Sequence, residues 1–179
     1  NTLINYYSDV KNPVVIDKCR AWPAHIDIIK KYVTDKPKII CTVRHPLDIL
    51  ASFITLFHKD NTYNFIDRAM TEQKIPITDD NRCHYMMNPG GIVWESMNAL
   101  ATAFRQKETQ YIHFIQYDDL VSNPRLVMQN LHGFLRLDSF NYDYDNIIQK
   151  DREKDEVYGL VTMHEVRKSI NKISKPYQE

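Results

Sequence analysis

Apolar positions along the chain fall into short β-branched runs and helical stripes, separated by proline-marked breaks. Pro13–Asp17 reads as a strand, and Ile39–Val43 as a buried strand of the kind found in parallel sheets. Pro23 opens a helix to about Val33, with Ile26, Ile29 and Val33 on one face. A second helix follows Pro46 and runs to about His58, with Ile49, Leu50, Phe53, Leu56 and Phe57 inward. Residues 59–88 are polar and interrupted, with one short helix near Phe65–Met70; the stretch reads as an acceptor-side lid or an insertion. Beyond the Pro89-Gly90-Gly91 turn, Ile92 to about Gln106 is helical, with Val93, Met97, Leu100, Ala101 and Phe104 on one side. Tyr111–Gln116 reads as a strand. Ser122-Asn123-Pro124 caps a helix reaching about Leu135, and 138–158 reads as surface helix and loop. Three strands separated by helices predict an α/β fold with a mainly parallel sheet and right-handed crossovers.

Composition narrows the class. A chain of 179 residues suits a single domain with a sizeable core. Its 23 basic and 23 acidic side chains cancel, which speaks against a general nucleic-acid or membrane-surface binder. A local anion pocket is compatible with that balance. No apolar run reaches transmembrane length. Cys19, Cys41 and Cys83 lack metal-type spacing and suit reduced thiols in the cytoplasm. The four glycines form no glycine-rich phosphate loop.

The segment Lys38–Ser52, KIICTVRHPLDILAS, concentrates the chemistry. Arg44 stands at the carboxyl end of a predicted strand, where open α/β sheets bind ligands. Its guanidinium is a permanently charged fork matched to phosphate oxygens, and the Ser52 hydroxyl adds a neutral hydrogen bond. Asp48 and Ser52, four apart, share a helical face. The alternative is an Arg paired with a nearby carboxylate and a serine on a solvated helix surface.

Arg44, Pro46, Asp48 and Ser52 resemble the nucleotide 3′-phosphate signature of sulfotransferases that use 3′-phosphoadenosine 5′-phosphosulfate (PAPS). Val14–Lys18 resembles the strand before that signature, and Tyr117–Pro124 resembles the family's "Y-E-D-L-x-x-N-P" strand end and helix. Gly159-Leu160 with His164–Arg167 resembles its carboxyl-terminal nucleotide-closing segment. The order of these matches is the family's order, over most of residues 13–170. The resemblance implies a P-loop nucleoside-triphosphatase-like sulfotransferase fold and sulfuryl transfer from PAPS, without a metal. Arg44, Ser52, Arg167 and Lys168 would hold the donor. The acceptor would be a small molecule, saccharide or peptide bearing a hydroxyl or amine; no nucleic-acid partner is implied.

Lys18 matches the lysine of the family's Lys-Thr-His run and would contact the sulfuryl group or leaving phosphate. Cys19-Arg20 replaces the rest of that run, so the catalytic base is not carried over. Asp17 is the candidate base, with His25 as an alternative. His164-Glu165 has no partners at metal spacing, and a metal site is rejected. The family's first βα unit carries a 5′-phosphosulfate loop and has no counterpart in Asn1–Val10, so the fold is expected to be partial, with that unit absent. Two rival readings follow: a non-catalytic nucleotide-binding or scaffold domain, and a nucleotide kinase-like protein of the same architecture.

Overall fold

The computed structural model describes residues 5–12, 14–60, 63–150 and 152–170. It is an α/β structure with a small parallel sheet flanked by helices. The described residues form two compact units, one drawn from the stretches 5–41 and 95–114 and the other from 42–94 and 115–170.

In the first unit, a 3-10 turn over Trp22–His25 leads into α1, Ile26–Tyr32. Proline in that turn loses no hydrogen bond, because the first N–H groups of a helix have no intrahelical partner. Ile26 is fully buried with Ala103 and Ile112, and Ile39, Cys41, Leu100 and Tyr111 pack around them. Strand β1, Ile39–Val43, of which 39–41 belong to this unit, pairs with β2, Ile112–Gln116, of which 112–114 belong to it. Lys30 Nζ donates to Glu108 Oε1 at 2.7 Å and lies 5.1 Å from the centre of the Tyr111 ring.

The second unit holds the larger core. Helix α2, Pro46–Asp60, contributes Leu50 and Phe57 to it. Helix α3, Phe65–Glu72, contributes Ile66 and Met70, and α4, Asp79–Met87, contributes Met86. Val93 comes from the first turn of α5, Ile92–Arg105, and Leu160 from the carboxyl-terminal segment. Two further helices, α6 (Tyr117–Ser122) and α7 (Pro124–Leu135), pack on each other. Asn123 caps α7 and accepts from Leu126 N at 3.4 Å, as the Ser-Asn-Pro pattern predicts. None of the helices among the described residues is long and apolar enough to cross a membrane.

Three expectations are corrected. Residues 14–17 form no strand: Val14, Val15 and Ile16 are exposed, and β1 and β2 are paired with each other. β-branched residues favour extended backbone, but a strand exists only when a neighbour takes its hydrogen bonds; Pro13 lies outside the described residues. Within 59–88, α3 matches the short helix expected near Phe65–Met70, and α4 adds an unexpected second helix; together they place Ile66, Met70 and Met86 in the core. On α5 the buried positions are Val93, Ala99 and Ala103, whereas Met97 and Phe104 are exposed.

Polar groups organise the α3–α4 pair. Asp67 is nearly inaccessible and accepts from Arg82 Nε at 2.8 Å and Nη2 at 2.9 Å. Arg82 also reaches Asp79 at 2.9 Å, and its guanidinium carbon lies 5.5 Å from the Phe57 ring centre. Asn64, fully buried, caps α3 through bonds from Ile66 N and Asp67 N, and donates to Asp67 Oδ2 at 2.9 Å. A charge this deep is tolerable only because each polar atom of the cluster is paired.

Candidate functional site

Arg44 is the first residue beyond β1, and Tyr117 the first beyond β2. The two strands are neighbours in the sheet, so both side chains emerge at the same strand ends. The Arg44 guanidinium carbon lies 4.3 Å from the centre of the Tyr117 ring. That is within cation–π range, and the ring restrains the fork without using its N–H donors.

Helix α2 starts directly after this junction. Pro46 occupies its first position, and His45 Nδ1 accepts from Leu47 N at 3.3 Å. Asp48 is buried in the first turn, and its Oδ1 accepts no hydrogen bond in the structure. The positive end of the helix dipole favours a carboxylate there. Ile49, Ser52, Phe53 and Leu56 follow at helical spacing and form one stripe.

That stripe is one wall of an open cavity of about 220 Å³, lined by Arg44, Ile49, Ser52, Phe53, Leu56, Met163 and His164. The sequence-predicted pair Arg44 and Ser52 is therefore brought together. Arg167 and Lys168 are exposed and are not among the lining residues. The Lys168 carbonyl accepts from Ile147 N at 2.7 Å. His164 lines the cavity in the closing segment, three residues before Arg167; the sequence places it in that segment but assigns it no binding role.

The closing segment is anchored at several points. Gly159 has φ +68°, a left-handed conformation that a side chain disfavours, and a Cβ there would sit 2.5 Å from the Tyr63 carbonyl oxygen. Leu160 is fully buried in the core beside it. Asp60, the last residue of α2, accepts from Val161 N at 2.8 Å, Thr162 N at 3.2 Å and Thr162 Oγ1 at 3.1 Å. Burial pushes the Asp60 carboxyl up, but these donors and Lys59 together bring it below the usual carboxylate range.

His164 is itself held at three atoms. Its backbone N–H donates to Asp155 Oδ2 at 2.9 Å, and its Nδ1 donates to Asp155 Oδ1 at 2.6 Å. Its carbonyl accepts from Gln149 Nε2 at 3.0 Å. Asp155 is buried, at the start of a 3-10 turn over Asp155–Tyr158. The bond from the His164 backbone, offset in part by burial and reinforced by the imidazole, holds its carboxyl below the usual range.

Asp17 and Lys18 belong to the first unit. Asp17 accepts from the Tyr7 hydroxyl through Oδ2 and from Trp22 Nε1 at 2.7 Å through Oδ1. The bond to Asp17, with burial second, pushes the Tyr7 hydroxyl up to about 12. Lys18 is exposed. His25, the alternative base, is exposed at the end of the 3-10 turn. Among the described residues, no group of three or more His, Cys, Asp or Glu side chains gathers as metal ligands would.

A guanidinium and a hydroxyl thus converge on one cavity at a strand-to-helix junction of an α/β chain. A sulfotransferase family model matches residues 3–141, more than half of the chain, and the chain belongs to that family. The match contains Arg44, Ser52 and Tyr117 and ends before the closing segment that carries His164. Family membership supports sulfuryl transfer as the general activity. No curated protein and no solved structure matches the chain.

Proposed function

We propose that the protein moves a sulfuryl group from PAPS to a hydroxyl or amine, and that the Arg44–Ser52 cavity takes the donor's 3′-phosphate. The observation that carries this reading is the convergence of the two side chains on one cavity. A volume of about 220 Å³ lies under the roughly 300–1,000 Å³ typical of whole-ligand pockets. It suits a phosphate-bearing corner of a nucleotide. Neutral overall charge does not oppose this, because one fixed fork and one hydroxyl supply a local, directional site.

When bound, the donor supplies an activated sulfur–oxygen bond. That bond breaks as the acceptor's oxygen or nitrogen bonds to sulfur, and the adenosine bisphosphate leaves with the electron pair. The residues position the reactants and neutralise charge. By their order along the chain, Lys18 assists the leaving phosphate and Asp17 takes the acceptor's proton; Arg167 and Lys168 add cationic closure. These four assignments rest on the sequence resemblance. A small-molecule, saccharide or peptide acceptor and a cytoplasmic setting with Cys19, Cys41 and Cys83 as thiols complete the proposal.

The test compares 3′-phosphoadenosine 5′-phosphate with adenosine 5′-phosphate, which lacks only the 3′-phosphate. Charge-assisted hydrogen bonds contribute about 1.5–3 kcal/mol each, so the bisphosphate should bind about 100-fold tighter. Equal affinity contradicts the cavity assignment. Transfer of labelled sulfate from PAPS to an acceptor then tests the reaction itself.

A further inference from the structure

His164 shares the cavity with Arg44 and Ser52, yet its bonding differs from that of a solvated surface histidine. Nδ1 is committed to Asp155 at 2.6 Å, and the backbone on both sides of the ring is tied down by Asp155 and Gln149. A carboxylate only accepts, so Nδ1 carries the hydrogen. That leaves Nε2 as the ring atom available to a ligand. In a neutral ring with its hydrogen on Nδ1, Nε2 is a bare acceptor and offers nothing to a phosphate. In the imidazolium form, Nε2 becomes a donor while the bond to Asp155 is kept.

Charged groups around the ring decide which form an anion selects. Asp155 sits at 2.6 Å and Glu153 Oε2 at 3.4 Å from Nδ1, both negative. The Tyr158 ring packs edge-on, with centroids 6.0 Å apart. Glu165, the next residue, pairs with Lys59 at 3.7 Å. Arg44, in the same cavity, is the opposing like charge. A dianion entering the cavity offsets that repulsion and favours a second cation beside the first.

We propose that His164 is a third anion-binding group of this cavity, oriented by Asp155, and that it takes up one proton as the nucleotide phosphate binds. The inference rests on the cavity reading above and adds to it a residue, its positioning partner and a proton linkage. The proton comes from solvent and resides on Nε2. No covalent bond of the ligand changes. Asp155 acts through His164 and is a positioning residue.

The experiment is calorimetric titration of the chain with 3′-phosphoadenosine 5′-phosphate at pH 7.5, in two buffers of different ionisation enthalpy. At that pH the ligand phosphate is already largely a dianion, since its second pKa is about 6. The difference in heat therefore reports protons taken up by the protein. Uptake approaching one proton is expected, with none on titration with adenosine 5′-phosphate. The His164→Gln variant should lose the uptake and bind the bisphosphate about tenfold more weakly. Asp155→Asn should keep a preference for the bisphosphate while the uptake falls. Zero uptake by the parent chain overturns the inference without any variant. Full uptake retained by His164→Gln also overturns it, and full uptake in Asp155→Asn removes Asp155 from it. A parent chain that does not prefer the bisphosphate fails the cavity reading instead, so the two failures are distinguishable.

Discussion

The Arg44 guanidinium lies over the Tyr117 ring, 4.3 Å from its centre, and each residue is the first beyond its strand. The pairing turns strand adjacency into side-chain order. A flexible arginine otherwise loses rotamer freedom when it grips a ligand. Stacking on the ring meets some of that cost before the ligand arrives. Tyr117→Leu should therefore weaken binding of 3′-phosphoadenosine 5′-phosphate about two- to fivefold, in line with about 0.5–1 kcal/mol for a partly exposed cation–π contact. Titration calorimetry measures it. An unchanged affinity would show that the ring has no part in presenting the fork.

Arg82→Ala tests the buried polar cluster. The substitution strands Asp67, whose side chain is only 4% accessible, and removes two bonds at 2.8 and 2.9 Å. Breaking one side of a buried pair costs about 3–5 kcal/mol. Urea unfolding should show a loss of that size. A loss under 1 kcal/mol would mean that the cluster adds little to stability.

Gly159→Ala addresses the turn that starts the closing segment. A left-handed φ and a Cβ 2.5 Å from the Tyr63 carbonyl oxygen both oppose any side chain. Strain of this kind costs about 1–3 kcal/mol. Reduced thermal stability is expected, with the cavity's affinity for the bisphosphate falling as well, since Met163 and His164 follow the turn.

Acid should loosen the same segment. The carboxyls of Asp60 and Asp155 are held below their ordinary value in the folded chain. A lowered pKa contributes stability that is fully present above the unfolded-state value and is lost as pH falls through the folded one. Stability from these two groups should thus be constant from neutral pH to about pH 5 and decline below about pH 4. Urea midpoints across that range measure the slope. Asp60→Asn should make the slope shallower; an identical slope would remove Asp60 as a source of the acid sensitivity.

Legibility in the sequence tracked locality. The β1–α2 junction could be read because its determinants are contiguous: an apolar strand, a first-turn proline, and a stripe at Ile49, Ser52, Phe53 and Leu56. Val14–Asp17 could not, because strand formation depends on a partner elsewhere in the chain. The α3–α4 region is obscured by its buried Asn64 and Asp67 and the half-buried Arg82, polar residues that break the apolar period while packing into the fold. On α5 the large Met97 and Phe104 suggested one face, whereas the small Ala99 and Ala103 take the buried positions. The Asp155–His164 pair spans nine residues with no helical or strand period between them, so no spacing rule exposes it.

The most direct test of the central claim is the affinity of Arg44→Ala for 3′-phosphoadenosine 5′-phosphate, set beside that of the parent chain. A fixed guanidinium contacting a phosphate dianion implies a loss of about 1.5–2.7 kcal/mol, roughly 10- to 100-fold, with little change in affinity for adenosine 5′-phosphate. Parent-like binding of the bisphosphate by the variant would contradict it.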